Sequence, residues 1–270
     1  MSRLWSTLSP WRLSPCVGAL CLLAATMLAV APVAAQPSAS SDASDPAAIA
    51  LAEATLEAMG GAEAWNETRF VRFEFFGFRL HHWDRHTGRH RLEGQTRDGD
   101  SYVVLHTIGA DGGQAWLNGE ALAGEDLAQW LERAHGAWIN DTYWLVMPYK
   151  LLDPGVTLKV AGEETLEGKV YDKVLLTFDG VGLTPGDRYW AYINRETGLM
   201  DRWAYHLENW EAEREPTGWW WRDWDRYGKV LLSPRRHNEA DDRTAMLDQL
   251  AVFDQLPDSV FTSPEAVTVD

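Results

Sequence analysis

The chain has 270 residues, a formal net charge of −16 and only two cysteines, Cys16 and Cys21. That acidity sets aside nucleic acid as a partner, because phosphate backbones are held by surplus Lys and Arg. Both cysteines lie close to the N-terminus, so the rest of the chain has no thiol for a disulfide, a metal or a nucleophile, and its fold must rest on packing.

Arg3 and Arg12 precede an apolar run from Val17 to Val30, and Val33-Ala34-Ala35 stands just ahead of Gln36. A basic start, a short apolar run and small residues before a cleavage point make residues 1–35 a secretory signal peptide. The run falls short of the roughly 20 residues that span a membrane comfortably, so removal and export to the periplasm are expected. Residues 36–45, rich in Ser, Ala and Asp, read as a flexible leader, and 46–270 as one domain.

Ser44 or Asp45 can cap a helix with Pro46 in its first turn, and Ile49, Ala52, Leu56 and Met59 recur at helical spacing before Gly60-Gly61. A helical turn through Ala62 to Trp65 follows. From Arg69 the pattern alternates, with Val71, Phe73 and Phe75 on one parity and Phe76, Phe78 and Leu80 on the other. That slip predicts a β-bulge in one long, bent strand. Asp84-Arg85-His86-Thr87-Gly88 has turn chemistry, so 89–96 returns antiparallel, and 101–108 forms a third strand before a turn at Asp111-Gly112-Gly113.

Between 124 and 150 the period is helical again, with Leu127, Trp130, Leu131 and Ala134 on one side. An apolar stretch over 138–147 stops at Pro148, which predicts one or two helices lying across a sheet. Strands are then expected over 156–161, 169–178, 188–194, 199–210, 218–227, 229–235 and 245–253, an antiparallel meander. The tail Leu256-Pro257-Asp258-Ser259-Val260-Phe261 reads as a final turn that sets an apolar pair on the sheet edge.

Three groups of residues bear on chemistry. His82, His86 and His90 are four apart, but they fall on two strands and a turn, where that spacing does not converge, so neither a metal nor another cofactor is expected. No nucleophile elbow, zinc-protease signature or phosphate-binding glycine loop is present, so an enzyme is not expected, although folding could still bring two acids together in a cleft as in a hydrolase. The third group is aromatic. On 199–210 the odd positions Leu199, Trp203, Tyr205 and Leu207 make an apolar face, whereas Trp219 and Trp221 point opposite to Trp220 and Trp224, so both faces of 218–227 need cover. Such rings either fill a core or line a cavity for an apolar ligand, and exposed indoles flanked by acids and arginines would instead stack on a saccharide.

The order of elements, with Gly60-Gly61-x-x-x-Trp65, Trp83-Asp84-Arg85-x-Thr87-Gly88, Asn140-Asp141-x-Tyr143-Trp144-Leu145 and the Leu-Pro-Asp-x-Val-Phe tail, resembles the LolA/LolB-like, outer-membrane lipoprotein-sorting-like periplasmic proteins. The resemblance implies a mainly β, α+β fold: a single curved antiparallel sheet, an unclosed β-barrel, with an N-terminal helix and mid-chain lid helices on its concave side. It further implies an apolar cavity that receives a hydrophobic ligand or lipoprotein acyl chains by lid opening, without bond chemistry. Transient contact with a membrane or a membrane-bound partner and a monomeric state go with that reading. The expected cavity-lining residues are Phe73, Phe75, Trp130, Trp144, Trp203, Tyr205 and Leu207.

Overall fold

The computed structural model describes residues 43–269, so the signal peptide and most of the leader read from the sequence lie outside the described residues. Helix α1 (Pro46–Ala58) starts on Pro46 and buries Ala48, Ala52 and Thr55, one residue per turn. It ends at Gly60, which has φ +120° and whose absent Cβ would stand 2.6 Å from the Lys229 carbonyl oxygen. Only glycine serves there. A short helix α2 (Gly61–Glu67) leads into the sheet.

The strands are β1 (Phe70–Phe75), β2 (Arg79–Asp84), β3 (Arg89–Gln95), β4 (Ser101–Thr107), β5 (Gly113–Leu117), β6 (Glu120–Ala121), β7 (Val156–Leu166), β8 (Lys169–Phe178), β9 (Arg188–Asn194), β10 (Met200–His206), β11 (Thr217–Arg222), β12 (Asp225–Tyr227), β13 (Val230–Leu232), β14 (Arg235–Asn238) and β15 (Thr244–Phe253). Thirteen of them form one antiparallel sheet in the order β6-β5-β4-β3-β2-β1-β15-β14-β11-β10-β9-β8-β7, and β12 and β13 make a separate hairpin. The ends β6 and β7 do not pair, so the curved sheet remains unclosed. Its β7 edge is partly covered, because Asp45 donates its N–H to the Leu158 carbonyl (2.8 Å) and accepts the Val160 N–H (3.0 Å).

The single long strand expected around Phe75–Gly77 is instead a tight hairpin. Phe76 (φ 50°) and Gly77 (φ 75°) make a two-residue turn closed by the Phe78 N–H on the Phe75 carbonyl at 2.9 Å. The parity slip was real, but its cause is chain reversal. The expected strand over 218–227 is likewise broken at Asp223, φ 59°, so Trp224 turns back to the face of Trp221 and stacks on it (centroids 6.0 Å).

One helix, α3 (Gly124–Val146), lies on the inner face, opening with Glu125 and Asp126 where the helix dipole favours acids. Its first half packs Leu127, Trp130, Leu131 and Ala134 on Leu92, Tyr102, Val104 and Ala115. Its second half sets Tyr143 and Trp144 against Trp203 and Trp219, and Leu145 and Val146 against Val71, Phe73 and Phe75. On the outer face, Tyr171, Tyr192, Ala204 and Trp220 form a separate cluster. The C-terminal segment also crosses that face, where Val260 and Phe261 pack on Phe70 and Arg91 donates to the carbonyls of Ser263 (2.7 Å) and Glu265 (3.0 Å). The apolar pair thus sits on the sheet's outer surface rather than on its edge.

Candidate functional site

Strand alternation puts Trp203 and Tyr205 of β10, Trp219 and Trp221 of β11 and Tyr189 of β9 on the face that α3 covers. Trp144 of α3 meets them edge-on, with centroids 4.7 Å from Trp203, 5.2 Å from Trp219 and 6.2 Å from Tyr205, and it also touches Phe75 and Phe76. Such edge-to-face contacts each add about 1 kcal/mol to the burial of the rings. The indole N–H groups of Trp203, Trp221 and Trp224 are buried without a hydrogen-bond partner among the described residues. An unpaired buried donor costs about 1–3 kcal/mol.

The seven expected lining residues divide. Phe75, Trp144, Trp203 and Tyr205 come together in this aromatic contact. Phe73 lies flat on the His81 ring (4.5 Å, 3° between planes), Trp130 packs from the first half of α3 on Tyr102, and Leu207 follows the end of β10 in a turn, where its carbonyl takes the Trp210 N–H. The triple tryptophan is buried, at 4, 2 and 1 % exposure for Trp219, Trp220 and Trp221, so it offers no row of open indoles to a saccharide. Two surface clefts of about 270 and 250 Å³ lie elsewhere, by the 110–114 turn and along the C-terminal segment.

Two polar fastenings hold α3 to the sheet. At its C-terminal end the fully buried Arg236 donates from Nε (3.1 Å) and Nη2 to the Trp144 carbonyl and from Nη1 to Ser233 (2.8 Å to the carbonyl), with its guanidinium 3.5 Å above the Trp221 ring. With no carboxylate among these partners, burial draws its pKa well below the usual value. Nearer the middle, Asp141 accepts from Arg79 Nε (2.7 Å) and Nη2 (2.9 Å), from Asn140 Nδ2 (2.8 Å) and from His81 Nε2 (2.9 Å). Burial alone would raise the Asp141 carboxyl, but His81 and Arg79 hold it below the ordinary carboxylate range.

From Asp141 a chain of imidazoles runs across three strands. His81 Nδ1 lies 3.0 Å from His90 Nε2, and His90 Nδ1 lies 2.8 Å from His106 Nε2. Burial lowers the pKa of His81, takes His90 well below 6.5 and brings His106 to about 4, so all three are neutral near pH 7. His82, on the opposite face between Arg72 and Arg91, is lowered to about 3 by burial and those charges. Among the described residues no three His, Cys, Asp or Glu side chains are placed to hold a metal ion. The buried Asp84 and Asp141 are both kept ionised by arginines, the opposite of what a general acid in a hydrolase cleft requires.

The His81–His90–His106 chain escapes a reading by spacing, because its members are nine and sixteen residues apart and meet only through strand pairing, His90 lying opposite His106. The available signal was parity: once the turn at Asp84–Gly88 is accepted, His81 and His90 fall on the same face as Phe73.

No family model and no curated protein sequence matches the chain. Solved structures do. A DUF1329 family protein from Desulfovibrio piger is 13% identical, with a TM-score of 0.44 over 81% of this chain and 98% of that one. A LolA superfamily protein from Nitrosomonas europaea is 13% identical (TM-score 0.38, 80% and 97% covered), and a putative outer membrane lipoprotein-sorting protein domain from Vibrio parahaemolyticus is 10% identical (TM-score 0.40, 78% and 97% covered). The last two carry the name of the group that the sequence resembles.

Proposed function

We propose that this chain is an exported carrier that binds the apolar part of a lipid, or the acyl chains of a lipoprotein, between α3 and the inner face of the sheet, and that it makes and breaks no bonds. The observation that carries this reading is the contact of Trp144 with rings from β1, β10 and β11. It is an apolar seam fastened at its margins by Arg236 and by Asp141, so lifting the helix exposes a lining of Phe75, Trp203, Tyr205 and Trp219. Acyl chains match such a surface because they replace ring contacts with apolar contacts at small net change in free energy. Delivery then needs a second surface, a membrane or a membrane-bound partner, to accept the chain, and a monomer suffices for it.

The test is titration of the mature protein with a fluorescent long-chain acyl probe, alongside mass spectrometry of whatever co-purifies. Saturable binding is expected, weakened about tenfold or more in Trp203→Ala or Tyr205→Ala while far-ultraviolet circular dichroism stays unchanged. Absence of saturable binding, or equal affinity in folded Trp203→Ala and Tyr205→Ala, would overturn the proposal.

A further inference from the structure

The carrier reading does not use the imidazole chain beneath α3, a polar track that runs from the helix across three strands. Asp141, ionised, can only accept, so the proton between it and His81 belongs to His81 Nε2. His81 Nδ1 must then accept from His90 Nε2–H, and His90 Nδ1 from His106 Nε2–H. The carboxylate therefore orients all three rings as Nε2–H tautomers. The chain ends at His106 Nδ1, which makes no hydrogen bond among the described residues and belongs to a half-buried side chain.

Few other charges face this track. Phe73 of β1 covers the His81 ring, while Arg72 and Glu74 of β1, His82 of β2, and Arg91 and Glu93 of β3 lie on the outer face. From β2 only Arg79 reaches it, from β4 the Tyr102 phenol stands near Arg79 and Asp141, and from α3 come Asn140, Asp141 and, 6.4 Å from the His106 ring, His135.

We infer that Asp141, His81, His90 and His106 form a pH-sensitive latch on α3: the carboxylate, clamped by Arg79, aligns three neutral imidazoles in one hydrogen-bonded chain that the helix covers. Once α3 lifts, the uncovered histidines take up protons, and each favours the open state by about tenfold per pH unit below 6.5. The inference rests on the carrier reading for its purpose, since it supplies the trigger for lid opening, but its test needs no ligand.

Nitrogen-15 spectra of histidine-labelled full-length mature protein at pH 7.5 should show His81, His90 and His106 as Nε2–H tautomers, and Asp141→Asn should mix the tautomers. Hydrogen exchange of the α3 amides around Asp141, corrected for the intrinsic chemical rate, should rise about tenfold or more between pH 7.5 and 5.5. His90→Phe, which removes the middle imidazole and leaves Arg79 and Asp141 in place, should weaken that dependence by about tenfold over the same range. An Nδ1–H tautomer at His81 or His90 at pH 7.5, pH-independent exchange in α3, or an unchanged pH dependence in folded His90→Phe overturns the latch even if acyl probes bind. Failure of the probes with the tautomers and exchange as expected overturns the carrier alone.

Discussion

Asp141 shows how much one buried side chain can be asked to hold. Its two oxygens receive four donors, two of them from the one arginine that reaches the helix from β2. A bidentate guanidinium matches a carboxylate better than an ammonium would, and the neutral His81 fills the remaining acceptor site without adding a charge to bury. Removing the carboxylate leaves Arg79 and His81 without their acceptor. Asp141→Ala is therefore expected to destabilise the protein by about 3 kcal/mol, the low end for a broken buried pair because Arg79 keeps 32% of its side chain in water. Urea unfolding measures it, and Asp141→Asn, which keeps an acceptor oxygen, should lose less. Sequence reading marked Asp141 only as part of a motif, since nothing local indicates that residue 79 or residue 81 lies against it.

At the scale of elements, legibility followed the strength of alternation. β8 and β9 match the ranges expected from the sequence because Val174 and Leu176, and Ala191 and Ile193, alternate without interruption. The β1–β2 hairpin was not legible, because its turn is Phe76-Gly77 where Asn-Gly or Asp-Gly would announce it. A non-glycine residue at positive φ is tolerated there because Phe76 gains contacts with Phe75 and Trp144 (centroids 4.1 and 5.4 Å), an interaction that exists only after α3 has docked. The junction of α1 and α2 shows the opposite case, where the sequence signal and the geometry agree on Gly60. Gly60→Ala combines a forbidden φ with a backbone clash, so a loss of about 2 kcal/mol or more is expected, read as a lowered urea midpoint with the slope unchanged.

Across the whole molecule the buried histidines make acid a general adversary. His82 and His106 have folded pKa values of about 3 and 4, and His81 and His90 are lowered as well, whereas in the unfolded chain each titrates near 6.5. The unfolded state therefore binds more protons below pH 6.5, and stability rises with pH across the window from each folded value up to 6.5. Asp84 and Asp141 act in the same direction at lower pH, because their folded values are depressed and their contribution is lost as pH falls through them. The thermal midpoint is expected to fall steadily from pH 7 to pH 4.5, and a flat profile over that range would show that these side chains are not buried neutral. His82→Gln should flatten the profile without altering α3 exchange, since His82 lies on the other face.

The sequence by itself determined the mainly β character, the meander, the helix across the sheet and the inward parity of Trp203 and Tyr205, because side-chain direction in a strand repeats every two residues whatever the strand pairs with. Tertiary structure decided which rings meet, turning seven candidates into a contact of four. It also decided that the tryptophan run is interior on both faces and that three histidines join one aspartate. Those outcomes depend on pairings between residues far apart in the chain, sixty positions for His81 and Asp141 and 75 for Trp144 and Trp219. Register and helix docking are set by the packing of the whole chain, and no local pattern contains them.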